Sequence, residues 1–299
     1  MLCDSEPLID IGPHCSKPYE CDYAHHCWQH IPSPSVFDFV DLGKPDPFKL
    51  YQQGIIKMED VPPTSLKWRQ QLQLDGILNK NQIVDEVAVQ EFLDELWYPL
   101  VFLDFETTYM TPVPLFDGTR PYQQVPFQFS LHWQNEPDGE LFHTEFLAPT
   151  HGDPRELFLE TLLEVMPDNS CVITWNAGFE GKILGWLARN FPRRRDRINS
   201  IITNIIDLMS PYRSKNIYNW QFNGSYSLKA VLPALVPELS YGALAINNGT
   251  MASSAWLALR LSDDDGHNEQ IRQRLLEYCH LDTLAMVKIL EKMRQMTLQ

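Results

Sequence analysis

No stretch of this chain is apolar for long enough to cross a bilayer. Its first residues, Met1-Leu2-Cys3-Asp4-Ser5-Glu6, lack the basic-then-apolar order of a secretory signal. A cytoplasmic location with no membrane partner is therefore expected. Internal repeats and low-complexity tracts are missing as well, which argues against a solenoid. Positive charge is in short supply: 24 Lys and Arg stand against 39 Asp and Glu, a formal net charge of −15. That excludes a broad basic surface for nucleic acid. It leaves open an acidic enzyme that holds phosphate locally through metal ions and a few arginines. Disorder is excluded in turn, because a chain that is 44% hydrophobic, with 8 Trp, 15 Phe and 11 Tyr, can fill a core. Its 299 residues suit one large domain, or one with a smaller attachment.

Cysteine is sparse except at the start. Cys3, Cys15, Cys21 and Cys27 crowd the first 27 residues, while Cys171 and Cys279 stand alone in apolar settings. In a cytosolic chain such crowding points to metal rather than disulfides. Residues 1–30 thus form a Cys/His-rich segment, and 31–96 a Pro-punctuated helical linker module with helices expected over 47–53, 64–79 and 87–96. From Trp97 the pattern changes. Strands are expected over 100–106, 125–134 and 140–147, then helix 154–166, strand 170–175, helix 178–190 and strand 204–209. Helices near 227–235, 251–261 and 268–297 close the chain. This order implies an α/β fold, a mixed sheet covered by helices over 97–299.

Three motifs carry carboxylates. In Val101-Phe102-Leu103-Asp104-Phe105-Glu106-Thr107, residues two apart share one face of a strand, so Asp104 and Glu106 point off it together. Burying paired negative charge is costly unless a cation compensates, and a metal ion is the natural one. In Thr174-Trp175-Asn176-Ala177-Gly178-Phe179-Glu180 a strand ends at a residue of N-cap type, and Glu180 falls in the first helical turn. An acid there can also simply complement the helix dipole. In Tyr278-Cys279-His280-Leu281-Asp282 the tyrosine and aspartate are four apart on one helix face.

The order and spacing of the three motifs resemble the DnaQ-like 3′→5′ exonucleases of the ribonuclease H-like superfamily, in the subgroup with a tyrosine in the third motif. The likeness spans residues 98–297, and Ser227-Leu228-Lys229 resembles the family's region between the second and third motifs. It implies a ribonuclease H-like mixed five-stranded sheet flanked by helices. It also implies two Mg²⁺ or Mn²⁺ ions about 3.5–4 Å apart, which cleave phosphodiester bonds at the free 3′ end of DNA or RNA. Asp104 would bridge both ions, Glu106 and Glu180 or Asp282 would complete the shells, and Tyr278 would orient water. Glu277, not histidine, lies five residues before Asp282, which excludes the histidine subgroup. The chain departs from the family at Glu180, where aspartate is usual. A catalytically degenerate nucleic-acid-binding or partner-docking module is the alternative.

A narrower resemblance lies in Phe102–Thr107 followed by Gly118-Thr119-Arg120-Pro121-Tyr122-Gln123-Gln124-Val125-Pro126-Phe127-Gln128. It is similar to a bacterial domain of unknown function that follows a RecB-like nuclease region in longer proteins. The segment holding Cys15, Cys21 and Cys27 looks like the end of that region, where three close cysteines and one distant one hold an iron–sulfur cluster. Here Cys3 is the candidate fourth ligand, or His14, His25, His26 or His30 helps hold Zn²⁺; free thiols are the other reading. A RecB-like nuclease or another protein is the implied partner.

For substrate, loop 107–124 leaves the first strand beside the expected metals and carries Arg120 and Tyr122. Thr107, Asn176 and Phe179, which belong to the same motifs, complete the expected substrate-binding set. Arg189, Arg193, Arg194, Arg195 and Arg197 form the basic patch of the catalytic part, either a phosphate track or a solvated helix face.

Overall fold

An unbroken apolar run suits a strand buried on both faces, and Leu100–Thr108 forms that strand, β1. Val125–Gln134 (β2) pairs with it antiparallel, and Phe142–Leu147 (β3) pairs antiparallel with β2. On the other side Cys171–Thr174 (β4) and Ile205–Asp207 (β5) add in parallel. The spatial order is β3-β2-β1-β4-β5. This mixed five-stranded sheet with flanking helices is the α/β class expected, and it agrees with a ribonuclease H-like arrangement. The computed structural model describes residues 9–41, 43–108, 111–262 and 264–297.

Alternation along β1 and β2 gives the sheet two unlike faces. Val101, Leu103, Phe105, Phe129 and Leu131 point into a core built with Arg155–Val165 (α1), Ala177–Asn190 (α2) and Arg195–Thr203 (α3). The opposite face carries Asp104, Glu106, Gln128, Ser130 and His132, which the register sets side by side: Asp104 opposite Ser130, Glu106 opposite Gln128. Leu228–Leu235 (α4), Gly249–Leu259 (α5) and the long Asp265–Met296 (α6) follow. Gln128 Nε2 donates to the Leu275 carbonyl at 2.7 Å, docking α6 on this polar face. Helix α3 falls where the sequence showed only an arginine patch. Its apolar positions Ile198 and Ile201 are buried, which makes the segment amphipathic.

By contact the chain divides into two units, Met1–Ile83 with Tyr218–Ser225, and Val84–Ile217 with Tyr226–Gln299. The helix Glu86–Asp94 therefore belongs to the second unit rather than with 31–83. In the first unit, helix Pro47–Gln52 stops at Gly54, whose φ of +79° ends it, and helix Trp68–Asn79 follows. Val36, Phe39, Leu50, Met58, Val61, Leu66 and Leu74 form its core. Two buried glutamines serve the backbone there. Gln73 bridges the Asp38 carbonyl and the Val40 amide, and Gln70 donates to the Val40 carbonyl at 3.0 Å. No helix among the described residues is long and apolar enough to cross a membrane.

Gly76 lies inside Trp68–Asn79 because Tyr218 Cε1 stands only 2.6 Å from where a Cβ would be. Gly76→Ala should therefore destabilise by about 1–3 kcal/mol through overpacking, despite alanine's higher helix propensity. Gly185→Ala in α2, where the nearest atom is Arg189 Nη1 at 3.9 Å, should raise the melting temperature. Equal behaviour of the two variants in thermal melts would refute the packing assignment.

Candidate active site

Asp104 and Glu106 leave β1 on the face covered by α6, and α6 brings Asp282 to them. One oxygen from each of the three carboxylates lies within 4.8 Å of the others. Glu106 and Asp282 are buried, and Asp104 is half-buried. The strand geometry explains the first pair: a shift in register falls between Glu106 and Thr107, after both acids have been placed on one face. Helix geometry explains the third, because Tyr278 and Asp282 sit one turn apart and both face the sheet.

Glu180, expected as a ligand, is not among the three carboxylates whose oxygens lie within 4.8 Å of one another, although its charge reaches them. It lies in the first turn of α2 and is almost fully buried. Its Oε2 is buried without a hydrogen-bond partner among the described residues. Its charge acts on both Asp104 and Glu106. Burial, with Asp207 adding to it, pushes Glu180 up to about 8. Asp207 itself is held by Arg213 at 3.1 Å and by the Asn176 and Met209 amides.

Burial raises every acid in the group, and repulsion from the others adds to it at Asp104 and Glu106. Asp104 is held well above the ordinary carboxylate range by burial and then by Asp282, Glu106 and Glu180. Glu106 is raised by burial and Asp282, against an opposing pull from Lys229. Asp282 is pushed up to about 7 by burial, although Tyr241, Lys229 and Tyr278 all favour its charged form. Four carboxylates against one nearby ammonium is a donor set of hard oxygens with charge to spare, which suits Mg²⁺ or Mn²⁺.

Two site residues had no assigned role in the sequence. Tyr241 Oη donates to Asp282 Oδ1 at 2.5 Å, placed by a short turn that Ser240 caps. Lys229, at the start of α4, lies over the Tyr241 and Tyr278 rings at 5.4 and 5.2 Å and donates to the Asn247 carbonyl. Its only sequence signal was the Ser227-Leu228-Lys229 stretch. Cys279 Sγ sits 3.7 Å from Asp104 Oδ2.

The expected substrate residues are spread out. Thr107 is buried directly after the register shift. Asn176 precedes α2 but caps it with backbone alone: its φ is +79° and its side chain makes no capping bond. Phe179 packs against the apolar core. Tyr122 is 64% exposed, and Arg120 lines a groove of about 540 Å³ with Arg189 and Trp186. In the arginine patch, Arg194 is engaged by Glu160, and Arg197 by Asp168 and the Met166 carbonyl. Two of its five charges are thereby already paired.

Cys15, Cys21 and Cys27 are free thiols around a cavity of about 570 Å³ shared with His14 and His26. Cys3 lies outside the described residues. Among the described residues, these thiols are not one of the groups whose ligand atoms lie within 4.8 Å of one another.

Residues 101–227 are similar to the family described as a domain of unknown function (DUF2779). The match takes in Asp104, Glu106 and Glu180 and stops short of Lys229, Tyr241 and Asp282. No curated protein and no solved structure matches the chain.

The raised carboxylates set a pH dependence. Between the ordinary carboxylate range and about 7 to 8, the folded metal-free protein holds protons that the unfolded chain has released. Their contribution to stability is thus present at low pH and lost as pH rises. With chelator present, the melting temperature should fall between about pH 5 and about pH 8, and Mn²⁺ should restore most at the upper end. A Mn²⁺ effect independent of pH would contradict this.

Proposed function

We propose that the second unit is a metal-dependent 3′→5′ exonuclease of the DnaQ-like kind, acting on DNA or RNA ends. The observation that carries the reading is the convergence of Asp104 and Glu106 from β1 with Asp282 from α6, beside buried Glu180. Asp104, Glu106 and Asp282 would hold the ions, and buried Glu180, whose side chain also meets Thr174, would offer a further oxygen from outside that group. When bound, divalent cations supply the acidification of the attacking water and the positive charge that steadies the leaving oxygen.

The chain's own residues do the rest. Burial and the surrounding negative charge hold Tyr278 and Tyr241 far above the ordinary phenol range, so both stay protonated and act as donors. Tyr241 and Tyr278 both donate to the Asp282 carboxylate, and Tyr278 would orient water beside it. Lys229 offers positive charge next to Glu106 and Asp282, where a phosphodiester oxygen would also be drawn. The net charge of −15 makes such local attraction the means of holding nucleic acid.

Release of 3′-labelled nucleotide from single strands with Mn²⁺ should be readily measured for the parent. It should fall by roughly a hundredfold or more in Asp104→Ala. Tyr241→Phe and Lys229→Gln should lower turnover by about 10–100-fold, as groups that orient ligands do. Binding of the strand without metal-dependent cleavage by the parent would overturn the reading in favour of a non-catalytic binding module.

A further inference from the structure

The polar face of the sheet continues past the carboxylates to a second cluster. His132 on β2 lies directly opposite His143 on β3 in the register, and His280 comes down from α6. One ring nitrogen of each lies within 4.8 Å of the others. Ring centroids are 4.3 Å apart for His132 and His143, 4.4 Å for His143 and His280, and 4.9 Å for His132 and His280. Hydroxyls brace the cluster. Thr283 Oγ1 is 2.8 Å from His132 Nδ1 and 2.7 Å from Ser130 Oγ, which in turn is 3.0 Å from His143 Nε2.

Hydrogen bonding alone accounts poorly for this arrangement. His143 Nε2 is approached by Ser130 Oγ at 3.0 Å, His280 Nδ1 at 3.2 Å and the Glu145 carboxylate at 3.9 Å. A single ring nitrogen can donate or accept one strong bond, not serve all three. A separation of 3.2 Å between two imidazole nitrogens also matches the edge of a coordination tetrahedron, about 3.3 Å for zinc–nitrogen bonds of about 2.0–2.1 Å.

We infer that His132, His143 and His280 bind a borderline transition-metal ion of the zinc class, with the Glu145 carboxylate or water as fourth ligand. Imidazole selects such ions, whereas the carboxylate site selects Mg²⁺ or Mn²⁺, so the two sites take different metals. Thr283, bonded to His132 Nδ1, is an outer partner for that ring, whereas the Ser130 hydroxyl meets the His143 Nε2 that the ion would take and would be displaced from it. The ion would tie α6 to β2 and β3 through His280, two residues before Asp282. This inference does not rest on the exonuclease reading.

The test titrates chelator-treated full-length protein with Zn²⁺ and, separately, Co²⁺, in a Cys15→Ser/Cys21→Ser/Cys27→Ser background that removes the N-terminal thiols. With Mg²⁺ in large excess to occupy the carboxylates, one tight equivalent of Zn²⁺ should bind. His143→Gln should weaken it by roughly a hundredfold, and Asp104→Asn should leave it unchanged. Cobalt should give the visible bands of a tetrahedral nitrogen–oxygen site, without thiolate charge transfer. Zn²⁺ uptake that His143→Gln does not reduce would overturn the inference. So would the absence of tetrahedral cobalt bands in the His-intact protein, a result that needs no histidine variant to fold.

Discussion

Asp104 and Glu106 share one face of a strand whose other residues belong in a core, and water cannot solvate them there as it would at the surface. Every neighbouring element answers that charge. Helix α6 adds Asp282 rather than a base, Tyr241 and Tyr278 add neutral donors, and Lys229 adds a single cation. The raised carboxylate pKa values show that these partners do not balance the site. The imbalance is the physical basis for expecting divalent cations.

The same constraint organises the sheet. With one face given to the apolar core under α1, α2 and α3, the polar side chains of β1 and β2 lie on the other, beneath α6, and Glu180 is added from the first turn of α2. Along that face the side chains run from Glu106 through Asp104 and Ser130 to His132, from a hard-oxygen site to an imidazole site. Cys279, His280, Asp282 and Thr283 are neighbours on α6 but serve different clusters, because successive residues on a helix face different directions. One helix thereby positions ligands for both.

What was legible in the sequence was local. The i, i+2 acids on an apolar strand, Glu180 in a first helical turn and the i, i+4 pair Tyr278 and Asp282 all follow from the period of one element. Tyr241 and Lys229 were not legible as site residues, since their contacts depend on how a turn and a separate helix pack. The histidine cluster was hidden for the same reason: His132 and His143 meet through strand register, and His280 through docking of α6. In the sequence helix α3 presents itself as an arginine patch, because charged residues mask the buried Ile198 and Ile201. Arg120 and Tyr122 sit on a long loop, whose path no periodicity constrains.

The central claim is that the carboxylates of Asp104, Glu106 and Asp282 together hold divalent cations. Anomalous diffraction from a Mn²⁺-soaked crystal tests it most directly. Manganese peaks within coordinating distance of all three carboxylates are predicted; ordered carboxylates with no peak among them at saturating Mn²⁺ would contradict the account.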